Sequence, residues 1–278
     1  MIAHVEFLDQ YHFTEDYHRV PPMEALKPFI SFYWETNFEH IFEQYGGGFS
    51  DVLLPDIAYT YTLKLGTPFT FQIGTKKFVM NTDGFLPRPA GLICHHSPGN
   101  KIFGIKFKIS TVLFEKKVNF SEYQKGIFPL SYLIDKNVVR EIKSAKDFLE
   151  RTEILDSYFE KLLMKFQRSK KIQIVSEALE KFMSGNDQRQ VKQIANVYKI
   201  SPRTLQRYFQ ETTGLSTKQA KQIATIRSAV KHLVATPATF DFRHYGYYDK
   251  SHFLKQLKRF FSIATPFCKN PHLEVLNA

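Results

Sequence analysis

Arg203, Gln206, Arg207 and Gln210 stand at i, i+3, i+4 and i+7, so on a helix they share one face. A guanidinium pairs bidentately with guanine O6 and N7, and a carboxamide does the same with adenine N6 and N7. That row therefore carries the chemistry of major-groove readout; a solvated basic helix face is the plainer reading of the same residues. The flanking residues say why a helix should form there. Ser201 is a good N-cap, Pro202 suits the first helical position, and Leu205, Tyr208 and Phe209 make the opposite, apolar side. Upstream, Val191, Ile194, Ala195 and Tyr198 line one face of a shorter helix, with Lys199–Ile200 as the turn. At Ala195 a large side chain would pry such a pair of helices apart.

The charge is segregated. From Gln167 to Ala278 there are 19 Lys+Arg against 7 Asp+Glu, whereas the preceding 166 residues hold 19 against 20, for an overall net charge of +11. A basic balance confined to one part is the footprint of a polyanion binder. Charge alone does not separate DNA from RNA or a membrane surface. No run approaches the ~18–20 apolar residues needed to cross a bilayer, and Met1–Glu6 lacks a basic start followed by an apolar stretch. Two cysteines, Cys94 and Cys268, exclude a disulfide framework and fit a reducing cytoplasm.

A second basic segment is more specific. Gly246–Tyr247–Tyr248–Asp249–Lys250–Ser251–His252–Phe253–Leu254–Lys255–Gln256–Leu257–Lys258–Arg259–Phe260–Phe261, followed by Thr265–Pro266, resembles the second helix-turn-helix signature of the AraC/XylS family of bacterial transcription regulators. Ile194–Ala195, Ile200–Arg207, Phe209 and Thr213–Gly214 resemble the family's first unit, and Ile226–Arg227 with Ala229–Leu233 the helix joining the two. The resemblance spans residues 172 to 270. It implies that Arg203, Thr204, Gln206 and Arg207, and in the second unit Lys250, Ser251, His252, Leu254 and Lys255, enter two successive major-groove segments of double-stranded DNA. It further implies RNA polymerase as a partner and activation as the usual outcome. Asp249 is the expected N-cap of the second reading helix, and His252 either fixes that helix start, touches a phosphate or reads a base. The sequence departs from the family pattern at Phe242, where a small Ala is usual, at Ser262 for Gly and at Leu257 for Phe. Residues 235 to 245 also shorten the usual first helix of the second unit.

The N-terminal half reads differently. Asp51–Leu54, Ala58–Leu65, Phe69–Ile73, Lys77–Met80 and Lys101–Ile109 are rich in Val, Ile, Tyr, Phe and Thr, and Gly46–Gly48, Gly66, Gly74, Asp83–Gly84 and Pro98–Gly99 punctuate them as turns. Ile105–Ile109 alternates apolar and charged residues, as a strand with one wet face does. Pro21–Pro22 with Leu26, Pro28–Ile30, Tyr33–Trp34, Leu54–Pro55–Asp56 and Phe103–Phe107 resemble the cupin-like sensory domain attached to some of these regulators. From Lys136 the period changes. Val139, Ile142, Ala145, Phe148 and Leu149, then Leu155, Tyr158, Phe159, Leu162, Leu163 and Phe166, predict two amphipathic helices joined near Arg151–Thr152. Their apolar stripe serves either as a homodimer contact or as packing on their own barrel.

The expected fold is therefore a two-domain α+β chain. Residues 1–166 form a β-barrel, cupin-like sensory or dimerisation domain ending in two helices, and residues 172–270 form an all-α domain with two helix-turn-helix units. The expected function is sequence-specific DNA binding and transcription regulation in the cytoplasm, responsive to a small-molecule effector whose residues the sequence does not assign. No cofactor or metal is expected. Cys94–His95–His96, with His4, His12, His18 and His40, lacks the H-x-H plus Glu pattern of metal-binding cupins, and adjacent strand histidines point to opposite faces. H-E-x-x-H, the phosphate-binding loop, a strand-linked G-x-G-x-x-G and G-x-S-x-G are all missing, so no enzyme is expected. The rival readings are an enzyme or small-molecule carrier built on the barrel with a nucleic-acid-tethering domain, and a non-specific nucleoid-type binder.

Overall fold

Alternating apolar strands with β-branched and aromatic residues build the first half. The computed structural model describes residues 2–5, 17–45, 49–108, 119–123, 126–165, 169–184 and 189–261. Gly46–Gly48, His12, Ile109, Phe166, Ser262, Thr265–Pro266 and Cys268 lie outside them. In chain order the elements begin β1 (Ile2–Val5), β2 (Tyr17–Val20), β3 (Ile30–Asn37), α1 (Glu39–Tyr45), β4 (Phe49–Leu53) and β5 (Thr60–Lys64). They continue with β6 (Phe69–Ile73), β7 (Lys76–Met80), β8 (Gly84–Leu86), β9 (Leu92–His96), β10 (Lys101–Phe107) and β11 (Phe128–Pro129). The helices that follow are α2 (Lys136–Ser144), α3 (Phe148–Met164), α4 (Lys170–Met183), α5 (Val191–Val197), α6 (Pro202–Thr213), α7 (Thr217–Ala235) and α8 (Lys250–Phe261).

The strands make two sheets, ordered β1-β4-β9-β6-β7 and β11-β8-β5-β10-β3-β2. Among the described residues the expected closed barrel is not formed. Its absence has a physical cause at the edges: β11 is two residues long and ends in Pro129, which has no N–H to donate, while β7 opens on the exposed Lys76 and Lys77. Trp34, Leu86 and Ile102 of the larger sheet pack with Phe69, Phe71, Leu92 and Cys94 of the smaller one, so the two face each other as layers.

The other face of the larger sheet buries Tyr33, Tyr61, Leu63, Phe103, Ile105 and Phe107 against Ile142 of α2 and Leu155, Phe159 and Leu162 of α3. Each such side chain contributes roughly 1.5–3 kcal/mol by leaving water. Most of the apolar stripe of these helices is thus taken up by their own sheet, while Leu149 stays exposed. The two helices break at residues 145–147, not at Arg151–Thr152. Asp147 accepts from the Glu150 N–H at 2.9 Å as N-cap of α3, and Ala145 ends α2 in extended backbone. Arg151 is instead buried inside α3. Its Nη1 lies 3.0 Å from Glu35 Oε2, and its Nη2 donates to the Ala145 carbonyl at 2.8 Å.

The helical part has two clusters. Ile172, Val175, Leu179 and Phe182 of α4 meet Ile194, Ala195, Leu205, Phe209 and Ala224 in one. Ile226, Ala229, Val230 and Leu233 of α7 meet Phe253 and Leu257 of α8 in the other. No described helix is long and apolar enough to cross a membrane.

Candidate nucleic-acid interface and the cavity behind it

Local chemistry sets the first helix pair. Gln190 and Gln193 form a capping box at the start of α5, and Lys199 takes the left-handed φ of 53° in the turn. The Ser201 hydroxyl accepts from the Thr204 N–H at 3.0 Å to start α6, with Pro202 at its first position. Ala195 is fully buried where the two helices touch. Gly214 ends α6 at φ 73°, and a Cβ there would fall 2.9 Å from both the Phe120 carbonyl and the Tyr59 hydroxyl of the β-rich part. Arg203, Arg207 and Gln210 are exposed on one side of α6. Arg207 lies 3.9 Å from Glu211, which also pairs with Lys171 at 3.0 Å. Gln206 differs from its neighbours: it is half-buried and its Oε1 accepts the Thr217 N–H at 3.3 Å, where it caps α7. Thr204 is half-buried with its hydroxyl 2.9 Å from Ser201 Oγ.

The second unit is a helix preceded by tight turns. Where a first helix was expected, Pro237–Thr239 and Phe242–Tyr245 form two 3₁₀ turns. Asp241 caps the second turn through the Arg243 N–H at 2.9 Å, and Phe240, Phe242, Tyr245 and Tyr247 fill the space beside Phe253. The bulk of Phe242 in place of a small residue suits this packing. Asp249 is the N-cap of α8, accepting the His252 N–H at 2.6 Å. The His252 ring stays at that helix start, with Nδ1 3.4 Å from the Tyr248 N–H and the ring against Tyr247. Lys250, Ser251 and Lys255 are exposed, and Leu254 is half-buried. Burial pushes the Tyr247 hydroxyl up to about 12. Between the units α7 runs 19 residues, about 28 Å at 1.5 Å per residue.

Behind this surface, a cavity of about 460 Å³ lies between the two sheets. Strand register decides what lines it. Leu86, Thr60, Lys106 and Phe32 stand on one rung of the larger sheet. Thr62, Gly104, Trp34 and Arg19 stand on the next, and Ile102, Thr36 and Tyr17 beyond it. Gly104 is required by contact: a Cβ there would fall 2.1 Å from Trp34 Cε2. The Arg19 guanidinium lies 4.8 Å from the Phe32 ring centroid. From the smaller sheet come Phe71, Cys94, Asp51 and His96, and the far wall is Arg227, Lys231, Val234 and Ala235 of α7. The cavity therefore opens onto α7, the helix that joins the first helix pair to the segment leading into α8. Sequence reasoning assigned no residue to it, because its rungs become visible only with the pairing register.

Apart from Arg19, its charged groups fall into two sets. At one end His96 Nε2 lies 3.2 Å from Asp51 Oδ2, and its Nδ1 lies 2.6 Å from Asn100 Oδ1. Burial pushes the Cys94 thiol well above its ordinary range, as does the nearby Asp51 carboxylate. His95 points the other way, to Ser50 Oγ at 2.9 Å and Gln72 Oε1 at 3.0 Å. Among the described residues no three His, Cys, Asp or Glu side chains are grouped to hold a metal. At the other end stand Arg88, Lys106, Arg227 and Lys231, beside the Thr60 hydroxyl, which is buried with no hydrogen-bond partner among the described residues. Lys106 was expected on a wet strand face; it is half-buried and paired with Asp56.

No protein-family model matches the chain, and no curated protein matches it in sequence. Among solved structures it is similar to ToxT from Vibrio cholerae, at 10% identity and a TM-score of 0.46 over 84% of this chain and 100% of that one. ToxT with bound unsaturated fatty acid is similar at 12% identity and a TM-score of 0.44, over 83% and 95% of the two chains. The AraC-like transcriptional activator CuxR follows at 8% identity and a TM-score of 0.27, over 64% and 66%. By the residues it carries between 172 and 270, the chain resembles the AraC/XylS regulators.

Proposed function

We propose that the chain is a sequence-specific, DNA-binding transcription regulator whose reading of DNA responds to a small molecule held between its sheets. In this reading residues 172–270 bind double-stranded DNA. Arg203, Arg207 and Gln210 serve the first major-groove segment, and Lys250, Ser251, Leu254 and Lys255 the second. Thr204, Gln206 and His252 set helix starts rather than read bases. Residues 1–166 supply most of the ligand's site, and Arg227, Lys231, Val234 and Ala235 of α7 close it. RNA polymerase is the expected partner, activation the expected sign, and a second copy of the chain the expected companion on DNA.

One observation carries the reading: the wall of the cavity is α7, the helix that spaces the two reading units. A ligand touching Arg227, Lys231 and Val234 acts directly on the part that sets that spacing. The lining also defines the ligand class. Aromatic and aliphatic side chains dominate, Asp51 is the lining carboxylate, and four cations cluster at the α7 end. An elongated apolar molecule with one anionic group fits that distribution. A fatty acid, the ligand of one ToxT structure, is a molecule of this type.

Selection of duplex DNA from a random pool by the full-length chain tests the DNA reading. The expected result is an enriched bipartite motif whose two segments lie about one helical turn, roughly 34 Å, apart. Binding with no enriched sequence would replace this reading with that of a non-specific binder.

A further inference from the structure

Leu54, Pro55, Asp56 and Ile57 connect β4 to β5, and each of the four meets the helical part or its partners. Leu54, fully buried, packs in the cluster of Ile226, Ala229, Val230 and Phe253 around the second reading helix. Ile57 packs in the cluster of Val175, Leu205 and Phe209 around the first. Between them the Pro55 carbonyl accepts from Arg227 Nη1 at 2.7 Å, and Asp56 Oδ2 lies 3.1 Å from Arg227 Nη2. Lys106 Nζ donates to the same carboxylate oxygen, and Arg88 donates to the Leu54 carbonyl. Desolvation would raise the Asp56 pKa, but Arg227, Lys106 and Arg88 together overcome it and hold the carboxyl well below the usual range.

Lys106 and Arg227 have cavity on both sides. They line the space between the sheets, and they also line the smaller crevice that contains Asp56. We propose that Asp56 is an internal counterpart of the ligand's anionic group: the two carboxylates compete for Arg227 and Lys106, and ligand binding releases the Leu54–Ile57 segment from α7. This rests on the ligand reading above. A buried carboxylate stripped of its cations is strongly disfavoured, so Asp56 must move toward water when it loses them. Leu54 and Ile57 flank it, so its movement disturbs the packing of both reading units together.

Dodecanoate and 1-dodecanol share a tail and differ in the head, and Trp34, the single tryptophan, lines the cavity and reports occupancy by its fluorescence. Asp56→Asn in the full chain should bind dodecanoate about tenfold more tightly than wild type and dodecanol equally well, while Asp56→Glu should stay near wild type. Unchanged or weaker dodecanoate binding by Asp56→Asn would overturn the proposal. If Asp56→Asn does not fold, amide hydrogen exchange in the wild-type chain decides instead. Dodecanoate should raise exchange across 54–57 and 226–235 and dodecanol should not; equal effects of the two overturn the proposal. If Trp34 responds to neither compound, the ligand reading itself fails, and the competition with it. A wild-type chain that binds both but shows no change on Asp56 substitution keeps the cavity and loses only the competition.

Discussion

Gln206 and Arg207 are adjacent in sequence and meet different demands. Arg207 projects from α6 with its side chain 64% exposed, and its distant pairing with Glu211 is an exposed contact worth under about 1 kcal/mol. It can leave Glu211 for a base edge at little cost. Arg207→Ala should weaken specific duplex binding by about 1–3 kcal/mol and relax choice at one base pair, as measured by competition among sites varied singly. An equal loss on every sequence would make it a phosphate contact. Gln206→Ala should change base choice little, because the Gln206 carboxamide already serves the start of α7. The helix face was legible in the sequence, since Ser201, Pro202 and the apolar spacing are local signals. The turning of Gln206 inward was not, because Thr217 lies beyond the left-handed Gly214 and no periodicity links the two. Asp249 as a cap and His252 at the helix start were legible for the same local reason as Ser201.

Among the elements, α3 shows how a buried charge ties a helix to a sheet. Arg151 joins Glu35 of β3 and the end of α2, and Lys101 of β10 pairs with the other Glu35 oxygen at 2.8 Å. Removing one partner leaves Glu35 buried with one cation fewer. Arg151→Ala should therefore cost about 3–5 kcal/mol of unfolding free energy, read from urea denaturation. A loss under 1 kcal/mol would mean that Lys101 alone satisfies Glu35. The existence of two amphipathic helices was legible, but their junction was not. The apolar period runs across it, and Asp147 with Glu150 marks the new start only for a reader who weighs caps above periodicity. Strand positions were legible within a residue or two at Phe69–Ile73 and Lys76–Met80. The open edges that keep the sheets from closing depend on pairings remote in sequence, so a barrel was the natural expectation. The second unit's 3₁₀ turns follow from aromatic packing around Phe253, a tertiary demand that overrides the local pattern.

For the whole molecule, the least legible feature is the coupling of its parts, since Arg227 meets the Pro55 carbonyl across 172 positions. The pH dependence of stability separates this coupling from the rest. Asp56 has a folded pKa depressed by its cations, so its stabilisation is complete above the unfolded carboxylate value of about 3.9 and is lost as pH falls through the folded value. Between about pH 8 and 5 it contributes a constant, and Asp56→Asn should lower the Tm by the same amount throughout that range. His95 behaves otherwise. Desolvation first, then Lys77 and His96, lowers its pKa, and a neutral ring suits its bonds to Ser50 and Gln72. The unfolded chain takes up that proton below about pH 6.5 before the folded chain does, so stability falls with pH from there downward. His95→Gln should flatten the Tm profile between about pH 7.5 and 5.5, while Asp56→Asn should shift it without changing its shape. A change of shape in the Asp56 variant would mean that the carboxylate titrates near neutrality, and that Arg227 and Lys106 do not hold it charged.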